Sequence, residues 1–159
     1  MTLQSPPRMI EQDLREDTEV NAAIQRILDE LRRSVPYDSA SVQQLRGDRL
    51  VIVGGVGFAH LDVILGEAFE LNSGDTPNGE VIFRRQPKIV ADTDKFRAFR
   101  RGLHVGAGIR SWLGVPLIDG DDVLGMITLD KQEPDFYTAE HQRLVASYAK
   151  RIASALAGS

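Results

Sequence analysis

The groups in this chain best suited to chemistry are hydroxyls, amides and carboxylates set among apolar side chains. Ser111, Leu113, Met126 and Thr128 lie in the stretch GIRSWLGVPLIDGDDVLGMITLDK, residues 108–131, where two apolar runs flank a Gly-Asp turn. Hydroxyls and a thioether on an otherwise apolar surface suit contact with a small organic molecule better than bond-making. In NSGDTPNGE, Thr76 ahead of Pro77 is a good N-cap for a short helix. With Asn78 it opens free amides that either are simply capped or hold a carboxylate or phosphate. Asp92, just past KIVA, has the position of a turn cap. Phe96 and Phe99 read as inward-packing residues, and Arg97, Arg100 and Arg101 as a solvated face.

Other chemistries are excluded or lack support. The chain has no cysteine, which removes disulfides, thiol redox chemistry, cysteine nucleophiles and thiolate-held zinc or iron–sulfur centres. Its three histidines, His60, His104 and His141, are too scattered for a three-histidine metal site. No Ser-His-Asp order, nucleoside-triphosphate loop or paired-carboxylate motif appears, and GVGF after a strand lacks the rest of a dinucleotide fingerprint. These absences lead to the expectation that the chain is not an enzyme.

The elements that must position these residues follow from spacing. Ser5 and Pro6-Pro7 start a helix that meets no Gly or Pro before Ser34. Ile10 and Leu14, then Val20, Ile24, Ile27, Leu28 and Leu31, have helical spacing, interrupted by REDTE. Residues 1–19 are read as a leading helical segment for signalling or dimerisation, and residues 20–157 as the globular domain. Residues 40–46 and 50–54 read as antiparallel strands around a Gly-Asp turn, 67–71 as a short strand, 77–86 as a short helix and KIVAD as a strand. DKFRAFRRG reads as a helical turn or two. Thr138 caps a last helix with Leu144, Val145, Tyr148, Ile152 and Leu156 on one face. This order predicts an α+β domain built on a central antiparallel sheet of about six strands.

A turn centred on Gly120 and Asp121 would oppose Leu113 to Thr128 and Val115 to Met126. One face then carries Ser111, Leu113, Val115, Leu117, Met126 and Thr128, and the other Trp112, Gly114, Ile118, Gly125, Ile127 and Leu129. Both are mostly apolar, so both must be covered. Gly114 and Gly125 would let the terminal helices approach, with Trp112 beneath them. Short helices and loops of the middle segment would roof the Ser111/Thr128 face, leaving a cavity.

With 159 residues, a net charge of −4 and no block of either sign, the chain reads as one domain without a surface for nucleic acid or anionic membrane. No apolar run reaches membrane-spanning length and the N-terminal residues lack a signal-peptide core, which reads as cytoplasmic.

GIRSWLGVPL, the turn, VLGMITLDK, Phe136 and a helix from about Glu140 resemble the signature of the GAF domain family. VPYDSASVQQLRGDRLVIVGGVGF, NGEVIFRRQPKIVAD and DTDKFRAF fall in the family's usual order, and the resemblance spans about residues 24–156. It implies a PAS-like antiparallel sheet, terminal helices on one face, and a ligand pocket under the middle segment that Asp92 and Phe96 would border. It implies a sensory domain relaying ligand binding to an output domain outside this chain, such as a histidine kinase or cyclase, as in two-component systems. The alternative is a ligand-free dimerisation module joined through the terminal helices as a homodimer, using Ile10, Leu14, Ala146, Ala149 and Ala153. The resemblance leaves the ligand and any cofactor open. Cysteine-linked bilin and the free-methionine-sulfoxide reductase branch need cysteines that are absent. Asp130-Lys131, Phe136 and Glu140-His141 only partly follow the family's cyclic-nucleotide motif. His104 lies near an axial histidine of certain haem-binding members, without identical spacing.

Overall fold

The computed structural model describes residues 7–58, 65–71, 76–95 and 108–158. Helix α1 (Pro7–Arg32) leads into strands β1 (Ser39–Arg46) and β2 (Arg49–Val56), then the short β3 (Ala68–Glu70). Helix α2 (Pro77–Arg84), strand β4 (Lys88–Val90) and a 3-10 turn (Thr93–Lys95) follow. The long hairpin of β5 (Ser111–Asp119) and β6 (Asp122–Lys131) precedes helix α3 (Ala139–Ala157). Among the described residues the strands form one antiparallel sheet in the order β3-β2-β1-β6-β5-β4. The first and last long hairpins are thus joined at the centre by β1 and β6. Helix α1 continues through REDTE without a break. No helix of the described residues is long and apolar enough to cross a membrane.

The described apolar positions of α1 and those of α3 face the same side of the sheet. Ile24, Leu28, Leu31, Val145, Ile152 and Leu156 pack with Val42, Leu113, Val115, Ile127 and Leu129 in one cluster. Each such side chain, removed from water, contributes about 1.5–3 kcal/mol before entropy is counted. Helix α3 starts where Thr138 accepts from the His141 amide while His141 Nδ1 accepts from the Thr138 amide, a reciprocal cap. Ala149 and Ala153, expected on an intermolecular face, are 3% and 2% exposed inside this core. A small side chain at these positions lets α3 lie close to the sheet.

The hairpin register corrects the one expected from the turn. Leu113 pairs with Leu129, Gly114 with Thr128 and Val115 with Ile127, and the register shifts by one between Leu117 and Ile118. Leu124 is the extra residue of this bulge, opposed by no residue of β5. Because side chains alternate, a one-residue slip sends every following β6 side chain to the opposite face. Met126 and Thr128 therefore share a face with Trp112 and Gly114, and Leu113 shares its face with Ile127 and Leu129.

Trp112 accordingly packs away from the terminal helices, with Leu50, Val81, Ile82, Val90 and Met126. Gly114 is the floor beneath its ring: a β-carbon there would stand 2.4 Å from the indole. Gly125, at φ +154°, faces β1, where a β-carbon would lie 2.0 Å from the Gln43 carbonyl oxygen. The close approach of a helix occurs instead at Gly54, where a β-carbon would meet Ile24 at 2.6 Å.

Candidate functional site

The two faces of β1 and β6 differ in kind. Toward the terminal helices these strands present Ala40, Val42, Ile127 and Leu129. Toward α2, the register aligns Ser39 with Asp130, Ser41 with Thr128 and Gln43 with Met126. Ser39, Ser41, Gln43, Thr128 and Asp130 are nevertheless buried, between 3% and 9% exposed. Removing such groups from water is unfavourable unless hydrogen bonds replace the lost hydration.

Those bonds form two short chains. Asn78, on α2, donates from Nδ2 to Gln43 Oε1 at 3.4 Å, and Gln43 Nε2 donates to Ser41 Oγ at 3.2 Å. The Ser41 and Thr128 hydroxyls are 2.7 Å apart, and either can be the donor. Separately, Ser39 Oγ donates to Asp130 Oδ2 at 2.9 Å. Burial pushes the Asp130 carboxyl up to about 7, with nearby Asp38 adding to the rise and the Ser39 hydrogen bond opposing it. The arrangement is a polar strip along the sheet's centre, touched from above by Asn78 and flanked by the Trp112 cluster.

The structure separates the residues proposed from sequence. Met126 and Thr128 lie on this strip, and Asn78 reaches it. Leu113 is fully buried in the terminal-helix core. Ser111 donates to the Glu133 carbonyl at 2.7 Å, tying β5 to the segment ahead of α3. Both fall away from the strip because the bulge at Leu124 uncouples the phases of β5 and β6. Thr76 Oγ1 accepts from the Gly79 amide at 3.0 Å and caps α2. Asp92 accepts from the Asp94 amide at 3.1 Å, as a turn cap does, and takes Arg110 Nε and Nη2 at 3.2 and 3.1 Å. The Arg110 hydrogen bond holds the Asp92 carboxyl below its ordinary value. Phe96, Phe99, His60, His104 and the arginines 97, 100 and 101 lie outside the described residues.

Ser39, Ser41 and Gln43 were not among the sequence candidates, and Asp130 entered only through the partial cyclic-nucleotide motif. The signal for Ser39, Ser41 and Gln43 is the alternation in SASVQQL, but alternation alone reads as a solvated face. Among the described residues no group of three or more His, Cys, Asp or Glu could hold a metal ion.

A model of the GAF domain family matches residues 17–157. The chain belongs to the GAF domain family. A comparison with curated proteins finds no match. Among solved structures, this GAF domain is similar to the type II free methionine-R-sulfoxide reductase from Thermoplasma acidophilum, at 17% identity and TM-score 0.74, over 90% of this chain and 96% of that one. It is similar to the GAF domain of a phosphoenolpyruvate-protein phosphotransferase from Coxiella burnetii, at 19% identity and TM-score 0.73, over 95% and 90%. It is also similar to the GAF-B domain of DevS from Mycobacterium smegmatis, at 20% identity and TM-score 0.65, over 89% and 93%.

At these identities the likeness establishes the fold. It also corrects the expectation that the chain is not an enzyme: the Thermoplasma acidophilum protein of this fold is a reductase, so the fold and the missing motifs do not exclude catalysis.

Proposed function

We propose that this GAF domain is a cytoplasmic sensory module that binds a small molecule on the strip formed by Ser41, Gln43, Thr128 and Met126. Binding would be relayed through the terminal helices to an output domain or partner. The observation that carries this reading is the contrast between the two faces of β1 and β6. One is wholly apolar where helices cover it, while the other holds five polar side chains that are also buried. An apolar core would avoid the desolvation cost of such a strip.

Residues 1–19 serve in this proposal as the signalling segment, with the globular domain over 20–157. The unbroken α1 supports it, since that helix joins the segment rigidly to core residues Ile24, Leu28 and Leu31. A ligand moves the relay only if it favours one of two arrangements of these helices. Output domains of the kind named for the similar GAF domain, a phosphotransferase, or of histidine-kinase type fit this role, as does a homodimer formed through the terminal helices.

Native mass spectrometry of the freshly purified full chain tests the reading by reporting retained ligand and oligomeric state together. A retained small molecule lost in Thr128→Trp, with the variant still folded, is the expected result. No retained molecule, and no thermal shift with a metabolite panel, would sink it.

A further inference from the structure

The hydrogen bonds of the strip leave a definite remainder. A serine or threonine hydroxyl carries one hydrogen to donate and lone pairs to accept. Ser41 and Thr128 bond to each other, so one of their two hydrogens joins them and the other has no acceptor among the described residues. This holds whichever hydroxyl is the donor. Gln43 Nε2 uses one hydrogen on Ser41 and keeps a second. Among the described residues, then, two donor hydrogens beside the pair are unused, on groups only 3–6% exposed. A buried donor normally finds a partner.

Resting on the ligand-site reading above, we infer that the Ser41/Thr128 hydroxyl pair and the Gln43 amide form a two-donor clamp for a ligand's carbonyl or carboxylate oxygen. The pair is redundant by construction. Removing either hydroxyl frees the hydrogen of the other, so a single substitution keeps a donor at the site, and only the double substitution deletes it.

The experiment is a titration of the full chain with acetate and N-methylacetamide, followed by NMR at the Gln43 side-chain amide and the Thr128 methyl. Methylammonium and guanidinium serve as donor-only probes. Saturable shifts are expected with the acceptor probes alone. Ser41→Ala and Thr128→Val should each change the fitted affinity by less than about threefold, and the double variant should weaken it about tenfold or more, the effect of one lost hydrogen bond. The Gln43 amide, present in all variants, reports whether the strip remains folded. Equal or stronger response to the donor-only probes would overturn the clamp while keeping the site, as would a Thr128→Val loss equal to that of the double variant. Absence of a saturable response to either class at any residue of the strip would overturn the site reading and the clamp together.

Discussion

Asp130 is the side chain whose surroundings most change its chemistry. Its value of about 7 in the folded chain lies above its ordinary 3.8. The folded protein therefore holds this proton where the unfolded chain has released it. Its contribution to stability is fully present below about pH 4 and is lost as pH rises through about 7. Asp130→Asn, which keeps an acceptor for Ser39, should remove this slope. Urea denaturation at pH 5 and pH 8 should show the variant gaining on wild type by on the order of 1–4 kcal/mol at the higher pH. A constant difference would show that the carboxyl is not raised. Trp112 is the matching apolar case. With its ring seated on Gly114 and 4% exposed, Trp112→Ala should cost about 3–5 kcal/mol by the same measurement. Gly114→Ala should cost about 1–3 kcal/mol through overpacking.

At the level of elements, short local devices hold the site's supports in place. Thr138 and His141 exchange bonds at the start of α3, so Thr138→Ala should lower stability by about 1 kcal/mol, read as a lower urea midpoint at unchanged m-value. Arg110 reaches Asp92 and Asp94 across the 3-10 turn at 3.1 and 3.2 Å. Its side chain is 39% exposed, so solvent screens the pair. Arg110→Gln should cost less than about 1 kcal/mol in global stability, while hydrogen exchange at residues 93–95 should rise first. The bulge at Leu124 matters more than either, because it sets which β6 side chains look toward α2.

Across the whole molecule, the domain is a sheet with one apolar face under two long helices and one partly polar face under α2. Among the described side chains of α1, the buried apolar ones lie at or after Ile24. Deleting residues 1–19 should therefore leave cooperative unfolding intact, with the thermal midpoint lowered by less than about 5 °C, a ΔΔG near 1 kcal/mol. If that segment is the dimer element, sedimentation velocity should show a change from dimer to monomer. Loss of the cooperative transition would instead make the leading turns part of the core.

Spacing and local chemistry made much of the fold legible: the helix caps at Thr76 and Thr138, the Gly-Asp hairpins, the helical stripe from Ile24 to Leu31 and the family resemblance. These depend on residues within a turn or two of one another. Thr128 and Met126 were placed toward the middle segment correctly, although the pairing that led there was wrong. Which β5 residues share their face depended on one unpaired residue, and Leu124, apolar like its neighbours, gives no local sign of it. The polar strip was hidden for another reason. Alternation in SASVQQL shows which side chains share a face, but only the assembled sheet joins residues near 41 to those near 128 and buries the polar ones, because burial is a property of what lies on top.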